Sequence, residues 1–323
     1  MLQQINQNTT QELSEFARDS IGFFKGKGLP GRWTYSSPDP KVANDVVNGA
    51  ALFTSFTQTP EYYLRRNEEK RLPELKEEIL DLADYYNLLA DMGCGNAFES
   101  KVAGLLANTD ADYGPIDINN DFLSGVTRQC TQRFPEKKIL PKLADFMSEG
   151  IHFPGYIPFP IMLGCTITNF GTTESVRQIL KQAKKIAEQG NGSFLFTHDT
   201  NQREQSLRNT YLHTLMKQHT LNVLHRMKRD LPTKGFNPEN FECDGYWDKN
   251  ANTFVIYMRP TEDMIFIIAG EEISLKKGEI LPQAPLMKLS SDHVLHLAEL
   301  EGFEAHQTRY DQDGHIAFQH VHL

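Results

Sequence analysis

The chain has little of what marks secreted, membrane-spanning or nucleic-acid-binding proteins. Only four of its 323 residues are cysteine, Cys94, Cys130, Cys165 and Cys243. None forms a CxxC pair and no zinc spacing links them, so reduced, unpaired thiols are expected. No apolar run approaches the ~20 residues that a spanning helix needs. The opening stretch MLQQINQNTTQELSEF has neither the cationic nor the apolar block of a signal peptide. Lys and Arg number 33 against 42 Asp and Glu, a net charge of −9 with no basic block, which argues against a nucleic-acid groove or a polybasic membrane patch. Internal repeats and low-complexity tracts are also missing. What remains is 39% hydrophobic and 23% charged, a composition that folds and dissolves. A cytoplasmic protein is expected, with one large domain or a core and a second lobe, as a monomer or weak homodimer.

Several segments carry clear periodicity. Residues 26–45 are rich in Gly, Pro and Ser and read as a functional or connecting loop. Leu75, Ile79, Leu82 and Tyr86 recur at helical spacing, with Pro73 placed near the first turn. Strand candidates then follow at Leu88–Ala90, Tyr113–Ile118, Ile139–Phe146, Phe159–Thr168 and Ser193–His198, with helical patterns between them. Alternation of this kind implies a mostly parallel α/β sheet. Residues 202–231 read as one long helical segment, followed by extended runs at Asn252–Met258 and Met264–Ala269. The end returns to the α/β form, with a helix over Ser291–Leu300 and strands at His306–Tyr310 and His315–His322 joined through Asp311-Gln312-Asp313-Gly314, a hairpin signal. The expected division is an N-terminal segment (1–70) contributing to a substrate lobe, a cofactor-binding core (71–200), a second α+β lobe (201–285) and a C-terminal helix and hairpin (286–323) that complete the core sheet.

The first strand runs into Asp91-Met92-Gly93-Cys94-Gly95. A glycine turn between a strand and a helix lets a ligand approach the backbone and meet a helix N-terminus. Alone, Gly93 and Gly95 fit NAD, FAD or S-adenosylmethionine (SAM) binding, or no more than a tight turn. Phe98 stands where the dinucleotide fingerprint needs its third glycine. Asp117, ending the second strand, is placed to accept from ribose hydroxyls, with a helix cap or turn aspartate as the lesser alternative. Asp145 and Phe146 together offer a carboxylate for an adenine amine and a ring beside it. A parallel sheet closed by an antiparallel hairpin is the methyltransferase topology, so SAM is the expected cofactor and a Rossmann-like methyltransferase the expected fold.

The chain resembles the histidine Nα-methyltransferases of ergothioneine biosynthesis and their relatives, which include fungal ergot-alkaloid N-methyltransferases. RWTY at Arg32–Tyr35, TPEYYLRR at Thr59–Arg66, DMGCGN, PIDI, ADF, LGCTITNF at Leu163–Phe170, the helix around Asn209–Leu224 and IIAGEEI at Ile267–Ile273 carry the likeness, in this order. The resemblance implies that Gly93, Gly95, Asp117, Asp145 and Phe146 hold the cofactor, with Lys101 as counterpart of a lysine in the following helix. It implies that Thr166, Asn169 and Tyr211 bind a substrate carboxylate and that Tyr35 and Tyr62, with Tyr63 the one-residue alternative, line the acceptor site. Met258 keeps an apolar wall. Read without the family, Asn169 is a strand-end turn residue, Tyr211 a half-buried helix aromatic, and Tyr62 and Tyr63 pack a helix start.

One departure stands out. Where histidine-specific members carry Glu and then Ser after GEE, counting without gaps gives Lys276 and Gly278, so histidine itself is doubtful as the acceptor. The expected function is SAM-dependent N-methylation of the α-amine of an amino acid or amino-acid-derived small molecule. The alternative is a SAM- or adenosine-binding sensor without activity, which the Thr166, Asn169 and Tyr211 set argues against. An NAD-linked oxidoreductase is disfavoured by Phe98 and the hairpin. His320 and His322 share a strand face with no carboxylate or cysteine cluster, and His293 and His296 lie on a helix with Leu295, Leu297 and Leu300, so no metal is expected.

Overall fold

The computed structural model describes residues 2–35, 49–81, 85–147, 150–190, 192–283 and 285–323, with side chains from residue 13 onward except at 305 and 306. Positions 36–45 of the expected loop and Leu82 of the expected helix lie outside the described residues. The chain divides into two compact units, Gln58–Arg203 with Met287–Leu323, and Met1–Thr57 with Glu204–Leu286.

The first unit is built on β1 (Leu88–Met92), β2 (Asp112–Asp117), β3 (Lys142–Leu143), β4 (Pro158–Met162) and β5 (Ser193–Asp199). With the C-terminal strands Glu304–Tyr310 and Ile316–His322 they form one seven-stranded sheet, in which β5, β4, β1, β2 and β3 lie side by side and the hairpin extends beyond β5. β1 runs parallel to β2 and β4, and β4 parallel to β5. Ile316–His322 is antiparallel to β5 and to Glu304–Tyr310. Strands β1, β4 and β5 are buried along their whole length. That is why they read as continuous apolar runs rather than alternations.

β3 is far shorter than the expected Ile139–Phe146. Pro141 has no N–H for a ladder, and the strand sits at the sheet edge, where proline is tolerated. β4 likewise stops at Met162, and Thr166–Thr168 forms a 3-10 turn rather than strand. Gly164 at φ 90° and Cys165 at φ 56° leave the extended region there.

The helix expected around Leu75 begins earlier, at Tyr63, and runs to Asp81 with Pro73 in its interior. An interior proline costs roughly 3 kcal/mol or more. Here the first two turns are fastened by side chains. Tyr63 donates to Asp199 at 2.5 Å, Asn67 to Asp311 at 2.6 Å, and Glu68 accepts from Gly164 N at 2.7 Å. Beside and after the proline, Leu72, Leu75 and Ile79 supply a buried apolar face.

In the second unit, a 23-residue helix spans Leu2–Phe24. Its Phe16, Phe23 and Phe24 pack with Trp33, Met227, Phe236 and Phe266 in one cluster. The ring of Phe24 lies 5.0 Å from Phe266, edge-on. The long helical segment is two helices, Glu204–Tyr211 and Thr214–Asp230. His213 breaks it at φ −58°, ψ 144°, and its Nδ1 caps the second helix at Leu215 N. An antiparallel pair, Phe241–Asp248 with Thr253–Pro260, and a small sheet containing Met264–Ile268 and Glu271–Leu275 complete the unit.

Candidate active site

Strand β1 lies between β2 and β4, the place where the strand order reverses and where open α/β sheets bind ligands beyond their carboxyl ends. The glycine turn emerges there. Gly93 and Gly95 take φ values of 74° and 57°, and Gly93 N and Cys94 N both donate to Ile116 O, at 2.8 and 3.2 Å. A Cβ on Gly93 would stand 3.5 Å from the Phe146 ring and 3.7 Å from the Thr166 methyl. Hydrogen alone at this position leaves room between the turn and those two side chains.

Asp117 does two jobs. One carboxylate oxygen accepts from Gly95 N at 2.9 Å, tying the end of β2 to the glycine turn; the other accepts from Asn119 N at 2.8 Å. Asn119 in turn caps the helix Asn120–Arg133. Burial raises the Asp117 carboxyl, against the pull of the Asn119 and Gly95 N–H groups. The Cys94 thiol, 3.9 Å from the same carboxylate, is pushed well up by burial and then by Asp117. It is a space-filling thiol rather than a nucleophile.

Asp91 is the residue that sequence reading passed over. It closes the buried strand β1, and burial pushes its carboxyl up to about 6 although the Tyr113 hydroxyl donates to it at 2.8 Å. A carboxylate ending an apolar run was visible in Leu88-Leu89-Ala90-Asp91. Tyr113, wholly buried on β2, is its partner.

Lys101 reaches the neighbouring loop, donating to Leu163 O at 3.3 Å. It lies against Gly164, where a Cβ would meet its Nζ at 2.2 Å. Asp145 is half-buried and accepts from Met147 N at 2.9 Å. Phe146 is buried and meets Phe170 edge-on at 6.1 Å. Thr166 opens the 3-10 turn and Asn169 closes it, half-buried. Tyr62 is buried, and so is Tyr63, whose hydroxyl is engaged by Asp199.

The remaining expected residues belong to the other unit. Tyr211 ends the helix Glu204–Tyr211, with its ring 5.4 Å from Phe254. Tyr35 lies 4.9 Å from Phe53 and 5.0 Å from His219. Met258 is wholly buried within that unit's core. Lys276 follows the strand Glu271–Leu275 on an exposed turn, where it pairs with Asp263 at 2.8 Å.

The donor set at the end of β1 and β2 suits SAM. Two carboxylates, Asp91 and Asp117, stand with the glycine turn and the buried Phe146 ring at this end of the sheet, a set that would suit the polar groups and the purine of SAM. A dinucleotide-binding sheet would continue in parallel where the antiparallel hairpin stands, and Phe98 fills the place of its third glycine. Topology and turn together leave the class of SAM-dependent methyltransferases, with SAM as cofactor. The profile of the histidine-specific, SAM-dependent methyltransferase family matches residues 16–323, and the chain belongs to that family.

Among curated proteins, comparison of the sequence finds no match. Solved structures with a similar course include the CcbJ methyltransferase from Streptomyces caelestis, at 13% identity and TM-score 0.47 over 78% of this chain and 89% of that one. A SAM-dependent methyltransferase from Clostridium acetobutylicum is similar at 9% identity and TM-score 0.49, over 85% of this chain and 99% of that one. The PH0226 protein from Pyrococcus horikoshii is similar at 14% identity and TM-score 0.47, over 84% and 96%.

Proposed function

We propose that this enzyme methylates the α-amine of an amino acid or of a small molecule derived from one. The observation that carries the reading is the placement of Thr166 beside Gly93, on a turn that ends at Asn169. Neutral donors at that point suit a carboxylate and do not compete with the amine for its charge. Tyr62, in the same unit, stands with them in this reading, while for Tyr35, Tyr211 and Met258 a role rests on the family resemblance alone.

Bound at the glycine turn, SAM supplies a methyl already activated on a sulfonium. The chain's own work is then alignment and exclusion of water. Asp91 and Asp117 would hold polar groups of the cofactor, Phe146 and Asp145 would take its purine, and Asn169 and Thr166 would fix the acceptor's carboxylate. The attacking amine must shed a proton, and an α-ammonium titrates low enough for water to take it. No dedicated base is assigned.

The Lys276 ammonium is engaged by Asp263, whose carboxyl it holds below the usual range. In this reading the neutral residues named above select the acceptor, and histidine is one candidate among others. The buried state of all four cysteines fits a reducing cytoplasm.

Tritium transfer from labelled SAM across a panel of amino acids tests the proposal, with label expected in one of them or in a close derivative. Binding of SAM with no acceptor labelled would overturn it. In the active pair, Asn169→Ala should raise acceptor KM at least tenfold while SAM affinity changes less than about threefold, since a lost hydrogen bond to a charged group is worth roughly 1.5–3 kcal/mol. An unchanged KM would remove Asn169 from the acceptor site.

A further inference from the structure

The turn that bears Thr166 and Asn169 is strained, and something must hold it. Gly164 at φ 90° is followed by Cys165 at φ 56°, a left-handed conformation that is unfavourable for a residue with a Cβ. Cys165 is fully buried, so its neighbours set its conformation. Such strain persists only where surrounding contacts over-determine it.

Those contacts converge on Glu68. Its side chain belongs to the helix Tyr63–Asp81, nearly one hundred positions away in sequence, and the residue is 1% exposed. One carboxylate oxygen accepts from Gly164 N at 2.7 Å and from the Thr197 hydroxyl at 2.7 Å. That hydroxyl oxygen accepts in turn from Cys165 N at 3.1 Å. The strained Cys165 and the glycine before it therefore both hang by their N–H groups from one buried carboxylate, through Thr197 and directly. On the carbonyl side, Lys101 donates to Leu163 O. Charge-assisted bonds of this kind are about twice as strong as neutral ones. Tyr63 and Asn67, in contact with Asp199 and Asp311, fix the same helical turns and so fix Glu68.

We propose that Glu68 is a positioning residue for methyl transfer: through Gly164 N and Thr197 it sets the turn that presents Thr166 and Asn169 to the acceptor. It touches neither cofactor nor acceptor. The proposal rests on the reading of that turn as the acceptor's carboxylate site, and its physical half, control of the turn, stands apart from that reading.

Two measurements separate the two. Hydrogen exchange of the peptide covering residues 163–169 should accelerate at least tenfold in Glu68→Ala, and to a lesser degree in Thr197→Val, which removes the relay to Cys165 alone. With the amino acid that the wild-type protein labels best, Glu68→Ala should raise acceptor KM at least tenfold with kcat and SAM dissociation constant within about threefold of wild type. Glu68→Gln, which keeps an acceptor oxygen in place, should recover most of the KM. Unchanged exchange in both Ala and Val variants overturns the proposal, whatever the activity. Equal losses in KM, kcat, SAM binding and melting temperature would also overturn it, by showing a purely structural role. If no amino acid is labelled by wild type, the functional reading fails and exchange alone decides on Glu68. Should Glu68→Ala not fold, Thr197→Val and Glu68→Gln decide by the same measures.

Discussion

Asp91 holds a carboxylate at the end of a fully buried strand, and burial lifts it from about 3.8 to about 6. Because the folded value exceeds the unfolded one, the native state binds the proton more tightly. Stability tied to this group is therefore fully present below about pH 4 and is lost as pH rises through about 6. At one pH unit per 1.4 kcal/mol, the loss is on the order of 2–3 kcal/mol. Asp91→Asn keeps an acceptor for Tyr113 and removes the charge. It should melt higher than wild type at pH 8 and by a smaller margin at pH 5, while SAM binding weakens at least tenfold. Calorimetry and melting at the two pH values check this, and an equal margin at both would show that Asp91 carries little strain. Burial raises Asp117 as well, but there two backbone donors, Asn119 N and Gly95 N, oppose it.

At the level of elements, β5 ends on a buried ion pair. The Lys288 ammonium meets the Asp199 carboxylate, with side-chain exposures of 0% and 1%, and the same carboxylate receives Tyr63 OH and Asn201 N. Breaking such a pair from one side leaves a bare buried charge, at a cost of about 3–5 kcal/mol. Lys288→Met alone should therefore destabilise by that amount in denaturant. Adding Asp199→Asn should recover part of it, since no charge is left buried and the amide oxygen still accepts from Asn201 N, while its NH2 faces the Tyr63 hydroxyl oxygen, which can accept. A double variant less stable than Lys288→Met would show that the carboxylate matters for more than its charge. The helix Tyr63–Asp81 shows the same logic. Its pattern of apolar residues announced only the half after Pro73, because the half before it is held by polar anchors that leave no periodicity.

Across the whole molecule, each unit buries a neutral histidine. Burial lowers His198 to about 3 in one unit and His219 to about 4 in the other, although the latter contacts Gly49 O at 3.1 Å. Both folded values lie below the unfolded value near 6.5, so the stability they carry is present above pH 6.5 and falls as the unfolded chain takes up protons below it. Each should remove about 1.4 kcal/mol per pH unit between roughly pH 6 and 4.5, partly offset by Asp91. Unfolding free energies at pH 7 and 4.5 should differ less in a His198→Asn, His219→Asn double variant than in wild type. An unchanged difference would assign acid unfolding to other groups.

Local chemistry alone determined a good deal here. The glycine turn after Leu88–Ala90, the α/β alternation and the Asp-Gly hairpin are written in short stretches of chain, because turns, periodicity and strand apolarity act over a few residues. They led to the SAM-dependent methyltransferase class and to Gly93, Gly95 and Asp117 at the end of the sheet. Tertiary structure decided what depends on distant partners. It shortened β3 to an edge strand after Pro141, broke the helical segment at His213, and joined Phe16 and Trp33 to Met227 and Phe266 from the far end of the chain. It put Lys276 against Asp263 on an exposed turn, which counting along the chain could not foresee. It also joined Glu68 to Gly164 and Thr197, since a buried carboxylate finds its N–H and O–H partners in space and leaves no spacing in the sequence to read.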